Sequence, residues 1–290
     1  MKFIDAHNDF LIEIKDIKEK RDYIKYIKFN NSIKRICSSV WTTKYPNAIN
    51  KLLECYNYSQ INKKISISIE DIGFINKNNL NETVSIIKKI NPVYCGLVWN
   101  YNNNLGGGCY SNNGLTKLGK EVIKILEKSN VIIDTAHMNK KTFFEFTKIT
   151  NFPIFNSHTN FNLFKYHKRN LSDKQIKMVI YSNGFIGVCF VKNFIFDNLV
   201  NLKLIARELA VFINKYGDTN IGIGSDFYGT KDLPKDLKTY EDLKYLKKYL
   251  VKEGLSIKTI NNIYYKNYQN YLKRIKTFIK NQNNFNKKIK

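Results

Sequence analysis

The chain has 290 residues, enough to bury a substantial core in one large domain or two small ones, and it carries 48 Lys and Arg against 24 Asp and Glu, a formal charge of +24. Nowhere does a run of about 18 apolar residues occur, which excludes a membrane-spanning helix, and the apolar stretch in the opening MKFIDAH is too short for a signal-peptide core. So strong a basic excess invites phosphate, but the lysines are dispersed and accompany no nucleic-acid motif, so they read as solvated helix faces and no nucleic-acid or membrane partner is expected.

Along the chain, short β-rich apolar runs alternate with longer segments of helical period. The runs are KFID (2–5), IKRICSSV (33–40), ISISIE (65–70), VYCGLVW (93–99), VIIDT (131–135), PIFNS (153–157), FIGVCF (185–190) and IGIGSD (221–226). Most are Val/Ile-rich and apolar almost throughout, as strands covered on both faces must be. Helices are expected over 115–130, with Leu118, Val122, Ile125 and Leu126 on one stripe and Thr116 as cap, and over 172–183 behind a Ser172 cap. Further helices are expected over 198–217, ending at Gly217, then over 239–254 and 256–279. Eight strands alternating with helices fit a single-domain (β/α)₈ barrel spanning 1–280; the basic residues 281–290 read as a solvated tail. A doubly wound open sheet is the runner-up, but it calls for a glycine-rich loop after the first strand, and DAHNDF has no glycine.

Five cysteines (37, 55, 95, 109 and 189) form no CxxC and no paired spacing, which points to reduced thiols and a cytoplasmic protein. Cys95 and Cys189 fall in strand-like runs and read as core.

In a (β/α)₈ barrel the chemistry sits at the C-terminal ends of the strands. His7 and Asp9 fall there after the first strand, Glu70 after the third, His137 after the fifth, His158 after the sixth and Asp226 after the eighth. Three of the four histidines in the chain therefore converge on one rim. Imidazoles mixed with carboxylates suit Zn²⁺ or a similar divalent ion. Five such ligands and a spare aspartate exceed the needs of one catalytic zinc, whereas two ions sharing a carboxylate use them naturally. Such a pair lowers the pKa of a bound water from 15.7 to about 7 and so supplies a hydroxide nucleophile. The spare aspartate is then free to carry the proton to the leaving amine. Taken singly, each residue has a plainer explanation: Glu70 as a helix cap, Asp226 as a turn residue, His137 as a hydrogen-bonded strand end. One metal centre explains them all together.

The motifs DAHND, SIE, GLVWNYNNNLGGG, GLTKLGKEVIKILEKSNVIIDTAH, PIFNSHTN, HKRN and IGIGSDFYG follow one another in the order seen in the renal, or membrane, dipeptidases, and the chain resembles that family over nearly its whole length. The resemblance implies a (β/α)₈ barrel of the amidohydrolase superfamily with two Zn²⁺. It implies His7 and Asp9 on one ion, His137 and His158 on the other, and Glu70 bridging both as ligand and catalytic carboxylate. Asp226 matches the acid/base aspartate, and Arg169 the arginine that holds the substrate's free carboxylate; a surface salt bridge to Asp173 is the plainer role for that arginine. His167 is left structural. Tyr228 stands in DFYG where the family has a second acid, and EDIG replaces a glycine-rich turn, which sets Asp71 beside the metals. Trp99 stands where the better-studied members have an oxyanion-steadying histidine, so the metal itself or Asn100 is left for that task, and Trp99 and Asn100 are assigned to substrate binding. The loop 102–114 is expected as a flexible lid.

The activity implied is hydrolysis of a dipeptide, including one with a C-terminal D-residue, by metal-bridging hydroxide. Two alternatives stand beside it: another small amide, lactam or cyclic dipeptide, and a metal-dependent phosphoesterase drawn to phosphate by the basic charge. Dimers are common in the family, so a homodimer is among the expectations.

Overall fold

A computed structural model describes residues 2–13, 27, 30–196 and 199–289, and among them eight parallel strands close into a barrel in sequence order. The strands are β1 (Phe3–Asn8), β2 (Ile33–Val40), β3 (Ile65–Ile69), β4 (Tyr94–Gly96), β5 (Ile132–Asp134), β6 (Phe155–Thr159), β7 (Phe185–Val188) and β8 (Ile221–Ile223). Each of the eight apolar runs supplies one strand. The outer layer holds α1 (Phe10–Glu13), α2 (Ala48–Ser59), α3 (Leu80–Ile90), α4 (Lys117–Lys128), α5 (Lys140–Phe146), α6 (Asp173–Tyr181), α7 (Lys192–Ile195), α8 (Leu202–Tyr216), α9 (Leu243–Lys252) and α10 (Ile257–Asn261). After a π-helical turn (Asn262–Lys266), α11 (Asn267–Ile289) ends the chain's described part, running on through most of 281–290.

Local chemistry places the helix ends. The Thr116 side chain accepts the Gly119 N–H at the start of α4, and the Ser172 N–H donates to the Gln175 side chain at 3.1 Å at the start of α6. Gly217, with φ 83°, stops α8 by letting its N–H reach back to the Ile213 carbonyl. The buried stripe of α4 is Gly119, Val122, Ile123 and Leu126, while Leu118 and Ile125 are only partly covered. The helix expected from 198 begins at Leu202; residue 198 lies outside the described residues.

Rings fill the lower barrel. Tyr94, Phe155 and Phe185 are buried there against Tyr268 and Tyr271 of α11, which covers that end. Tyr271 donates to the Pro153 carbonyl at 3.0 Å and Tyr268 meets Cys37 Sγ at 2.7 Å. With that end packed shut, the polar residues gather at the other one, where the strands' C-terminal ends open.

Two breaks in strand register bear on what is presented there. The β1–β2 pairing slips between Asp5 and Asn8, and the β6–β7 pairing slips between Asn156 and Thr159. His7 and His158 sit inside those two slips. An irregularity of this kind re-aims the side chain it contains, and here it turns both imidazoles into the mouth.

Candidate metal centre

Six side chains expected at strand ends do meet. His137 Nε2 lies 2.9 Å from Glu70 Oε1 and 3.0 Å from His158 Nε2; His158 Nε2 is 3.8 Å from the same Glu70 oxygen. His7 Nε2 lies 3.5 Å from Asp9 Oδ2 and 3.9 Å from Asp226 Oδ1. His7 and His158 stack with ring centroids 3.7 Å apart. The ligand atoms of His7, Glu70 and His158, and those of His7, Asp9 and Asp226, each fall within 4.8 Å of one another.

Each imidazole is held by its other nitrogen. Ser157 Oγ donates to Asp134, so at 2.8 Å from His158 Nδ1 it must accept the imidazole's N–H. Tyr94 OH donates to the Ala6 carbonyl at 3.2 Å and accepts from His7 Nδ1 at 2.8 Å. Asn100 Oδ1 accepts from His137 Nδ1 at 2.8 Å. In the neutral ring a proton on Nδ1 leaves a lone pair on Nε2. The three Nε2 atoms therefore face one another and three carboxyl groups, with His137 and His158 presenting lone pairs there.

Such an arrangement is repulsive unless positive charge enters it. Burial, followed by the negative charge of Asp9, pushes the Glu70 carboxyl well above its ordinary range. Asp226 is likewise raised by burial, with His7 opposing. Burial holds His137 and His158 well below the usual imidazole range, so both are neutral. His7 goes the other way. Burial would lower it, but Asp9, Glu70 and Asp226 outweigh that and push it up to about 10. Its Nε2 is buried and meets no hydrogen-bond partner among the described residues. A cation fits this cluster on both grounds, the orphaned nitrogen and the mixed N/O donor set.

The backbone bends to make the site. His137, Asp226 and Tyr228 have φ of 66°, 61° and 69°, a region that non-glycine residues enter at a cost and hold where surrounding structure compels it. Gly96 has a steric role: a Cβ there would stand 2.0 Å from the Glu70 carbonyl oxygen.

A cavity of about 420 Å³ opens over the cluster, lined by Asp9, Glu70, Trp99, Asn100, His137, Arg169 and Asp226 among others. Arg169 is 6% exposed, donates to the His158 carbonyl at 3.3 Å, and pairs with no carboxylate among the described residues. Asp173 is engaged elsewhere, by Lys177, Lys215 and Tyr216, so the surface salt bridge is not formed. His167 is the positioning residue beside it, accepting the Arg169 N–H at 3.1 Å and packing on Phe194.

Two expectations need correction, those for Asp71 and for the loop 102–114, and the part open to Asn100 narrows. Asp71 does not face the cluster: its carboxylate turns away to accept from Gly73 N and Asn103 Nδ2, and burial pushes it up to about 6. Asn100 spends its side-chain oxygen on His137 and Cys109, so only its amide nitrogen is left to face a substrate. The 102–114 loop is laced down rather than loose, with Asn103 bonded to Leu97, Leu105 and Gly106 and Asn139 reaching Ser111 and Asn113. Sequence reasoning missed Tyr94, Ser157 and Asp134, which orient the imidazoles. A tyrosine and an aspartate inside otherwise apolar strand runs were the available signal.

A (β/α)₈ barrel with this cluster at its mouth is the scaffold of a metal-dependent enzyme, and the family match makes it a hydrolase acting on peptide bonds. The sequence profile of the membrane dipeptidases (peptidase family M19) matches residues 59–286, and the chain belongs to that family. Among its relatives is an uncharacterized protein in the pqqA 5' region of Klebsiella pneumoniae, 28% identical over 193 residues, or 62% of this chain and 71% of that protein. Among solved structures, an amidohydrolase from Pseudomonas aeruginosa superposes with a TM-score of 0.80 at 18% identity, covering 94% of this chain and 96% of that one. A metallo peptidase from Rhodobacter sphaeroides, liganded with a phosphinate mimic of the dipeptide L-Ala-D-Ala, gives 0.77 at 16% identity over 95% and 99%. No helix among the described residues is long and apolar enough to cross a membrane.

Proposed function

We propose that the protein is a dinuclear zinc dipeptidase that cleaves the amide of a free dipeptide, including one whose C-terminal residue has the D configuration. One observation carries the reading: a buried guanidinium with no carboxylate partner among the described residues faces a cavity whose floor is a cluster of imidazoles and carboxyl groups. His7 and Asp9 would hold one cation, His137 and His158 the other, with Glu70 between them. When bound, the cations would polarise the substrate carbonyl and acidify a coordinated water.

The remaining roles belong to the chain. Arg169 binds the substrate's C-terminal carboxylate with its planar fork, a bidentate fit that Lys cannot reproduce. That contact selects a free carboxylate one residue beyond the scissile amide, hence a dipeptide. Asp226, beside His7 at the rim, takes the proton of the attacking water and hands it to the departing amine. The Asn100 amide nitrogen, from a residue that lines the cavity, donates to the carbonyl oxygen as charge gathers there. The relative that binds a mimic of L-Ala-D-Ala supports the inclusion of D-residues, and five buried cysteines that form no disulfide support a reducing, cytoplasmic setting.

Metal analysis beside a panel of L,L and L,D dipeptides tests the proposal. About two equivalents of zinc with release of both amino acids is expected. Arg169→Ala should raise KM roughly a hundredfold with a smaller effect on kcat. Equal turnover by the variant would mean a substrate without a free carboxylate, such as a lactam or cyclic dipeptide.

A further inference from the structure

The chain has two tryptophans, and both stand at the mouth of the barrel. Trp41 follows β2 and Trp99 follows β4; their rings stack with centroids 4.5 Å apart and planes 29° apart. Trp99 stacks in turn on His137 at 5.8 Å. Both rings are half-buried and line the 420 Å³ cavity, where Ile12 adds aliphatic surface. The Trp41 indole N–H is buried without a partner among the described residues. A large aromatic surface left part-open in a cleft is unusual unless something covers it.

Topology says which part of a substrate that is. In a closed barrel ordered β1 to β8, β2 stands across the mouth from β6. Arg169 lies in the segment following β6, so Trp41 stands on the wall opposite the cationic anchor, and Trp99, after β4, lies on the arc between them beside the metal-type cluster. A dipeptide whose carboxylate is held at Arg169 and whose amide lies over the cluster has its N-terminal residue at the far wall.

We infer that the Trp41–Trp99 stack is the N-terminal side-chain pocket and that the enzyme selects dipeptides beginning with a large apolar or aromatic residue. The inference rests on the dipeptidase reading for its orientation. Covering an indole face with a phenyl ring removes apolar surface from water and adds an offset ring contact, which together favour Phe over Gly by about tenfold or more.

The test uses the metal-loaded protein in two ways. First, kcat/KM is compared for Phe-Ala and Gly-Ala in the wild type, Trp41→Ala and Trp41→Phe. The wild-type ratio should be about ten or more, the alanine variant should bring it close to one, and the phenylalanine variant should keep most of it. Second, non-hydrolysable phosphinate dipeptide mimics with a benzyl group or hydrogen on the N-terminal side are titrated against intrinsic tryptophan fluorescence. Both emitters sit in the proposed pocket, so the benzyl mimic should shift the signal at lower concentration. Cleavage of both dipeptides at similar kcat/KM, or a ratio untouched in Trp41→Ala, overturns the inference and leaves the dipeptidase reading standing. No cleavage of any dipeptide, with the benzyl mimic still preferred, does the reverse. Equal affinity for the two mimics also overturns it, which keeps the test decisive if Trp41→Ala fails to fold.

Discussion

Glu208, on the inner face of α8, is 1% exposed, and neither of its carboxylate oxygens finds a hydrogen-bond partner among the described residues. Burial outweighs the Phe161 amide, which faces the carboxylate without completing a hydrogen bond, and pushes its pKa from an ordinary 4.5 up to about 8. An acid shifted upward in the fold is protonated there and ionised in the unfolded chain. Its contribution is therefore fully favourable below pH 4.5 and is lost as pH climbs through 8. At 1.36 kcal/mol per unit, the penalty reaches about 3 kcal/mol at pH 7 and about 5 kcal/mol at its ceiling. Glu208→Gln keeps the shape of the neutral acid and cannot ionise. The variant and the parent should unfold alike at pH 4.5, and the variant should be the more stable by about 3 kcal/mol at pH 7, roughly 5–10 °C in Tm. Denaturant unfolding of both proteins, stripped of metal and measured from pH 4.5 to 8.5, gives the difference directly. A difference that stays flat with pH, or a variant less stable at pH 8, would refute the claim that an unpaired carboxyl is buried there.

Three other outcomes follow from the site. Tyr94→Phe removes the acceptor of His7 Nδ1–H without changing ring volume and should weaken zinc 10- to 100-fold in a chelator competition, with little loss of folding. Gly96→Ala forces a methyl group onto the Glu70 carbonyl and should cost about 1–3 kcal/mol in unfolding as well as most of the activity, since Glu70 must move. Chelation should lower Tm, because three buried carboxyl groups lose the cation that fits among them, and zinc added back should restore it; a Tm indifferent to metal would contradict a cation-binding cluster.

The sequence exposed the fold through its eight strands, because a strand covered on both faces leaves an unbroken apolar run. It was less open about helices: α2 and α5 bury only a few side chains, and α3 was passed over although Leu80, Val84, Ile87 and Ile90 recur at helical spacing on its buried face. The clustered side chains were legible because the barrel ties chemistry to strand ends, so His7, Asp9, Glu70, His137, His158 and Asp226 could be placed before any distance was known. Their supports could not. Tyr94 on β4 reaches across the barrel to His7 on β1, and no local pattern encodes that meeting. Asp71 shows the converse, since adjacency to Glu70 in sequence said nothing about which way its carboxylate turns.

The seam that closes the barrel joins β1 to β8 by a single registered pair, Asp5 with Ile223, and reinforces it with one buried side chain. The Asp5 carboxylate accepts from Ser225 N–H at 2.8 Å, from Ser225 Oγ, and from Tyr240 OH at 2.7 Å. Asp5 is synthesised well before the residues that hold it, Ser225 and Tyr240, which lie 220 and 235 residues further along the chain. At ordinary translation speeds that delay is roughly 10–50 s. A chain cut short before Ser225 carries the three imidazoles yet lacks the donors that fasten Asp5, so the barrel is sealed only once β8 and the residues after it are made.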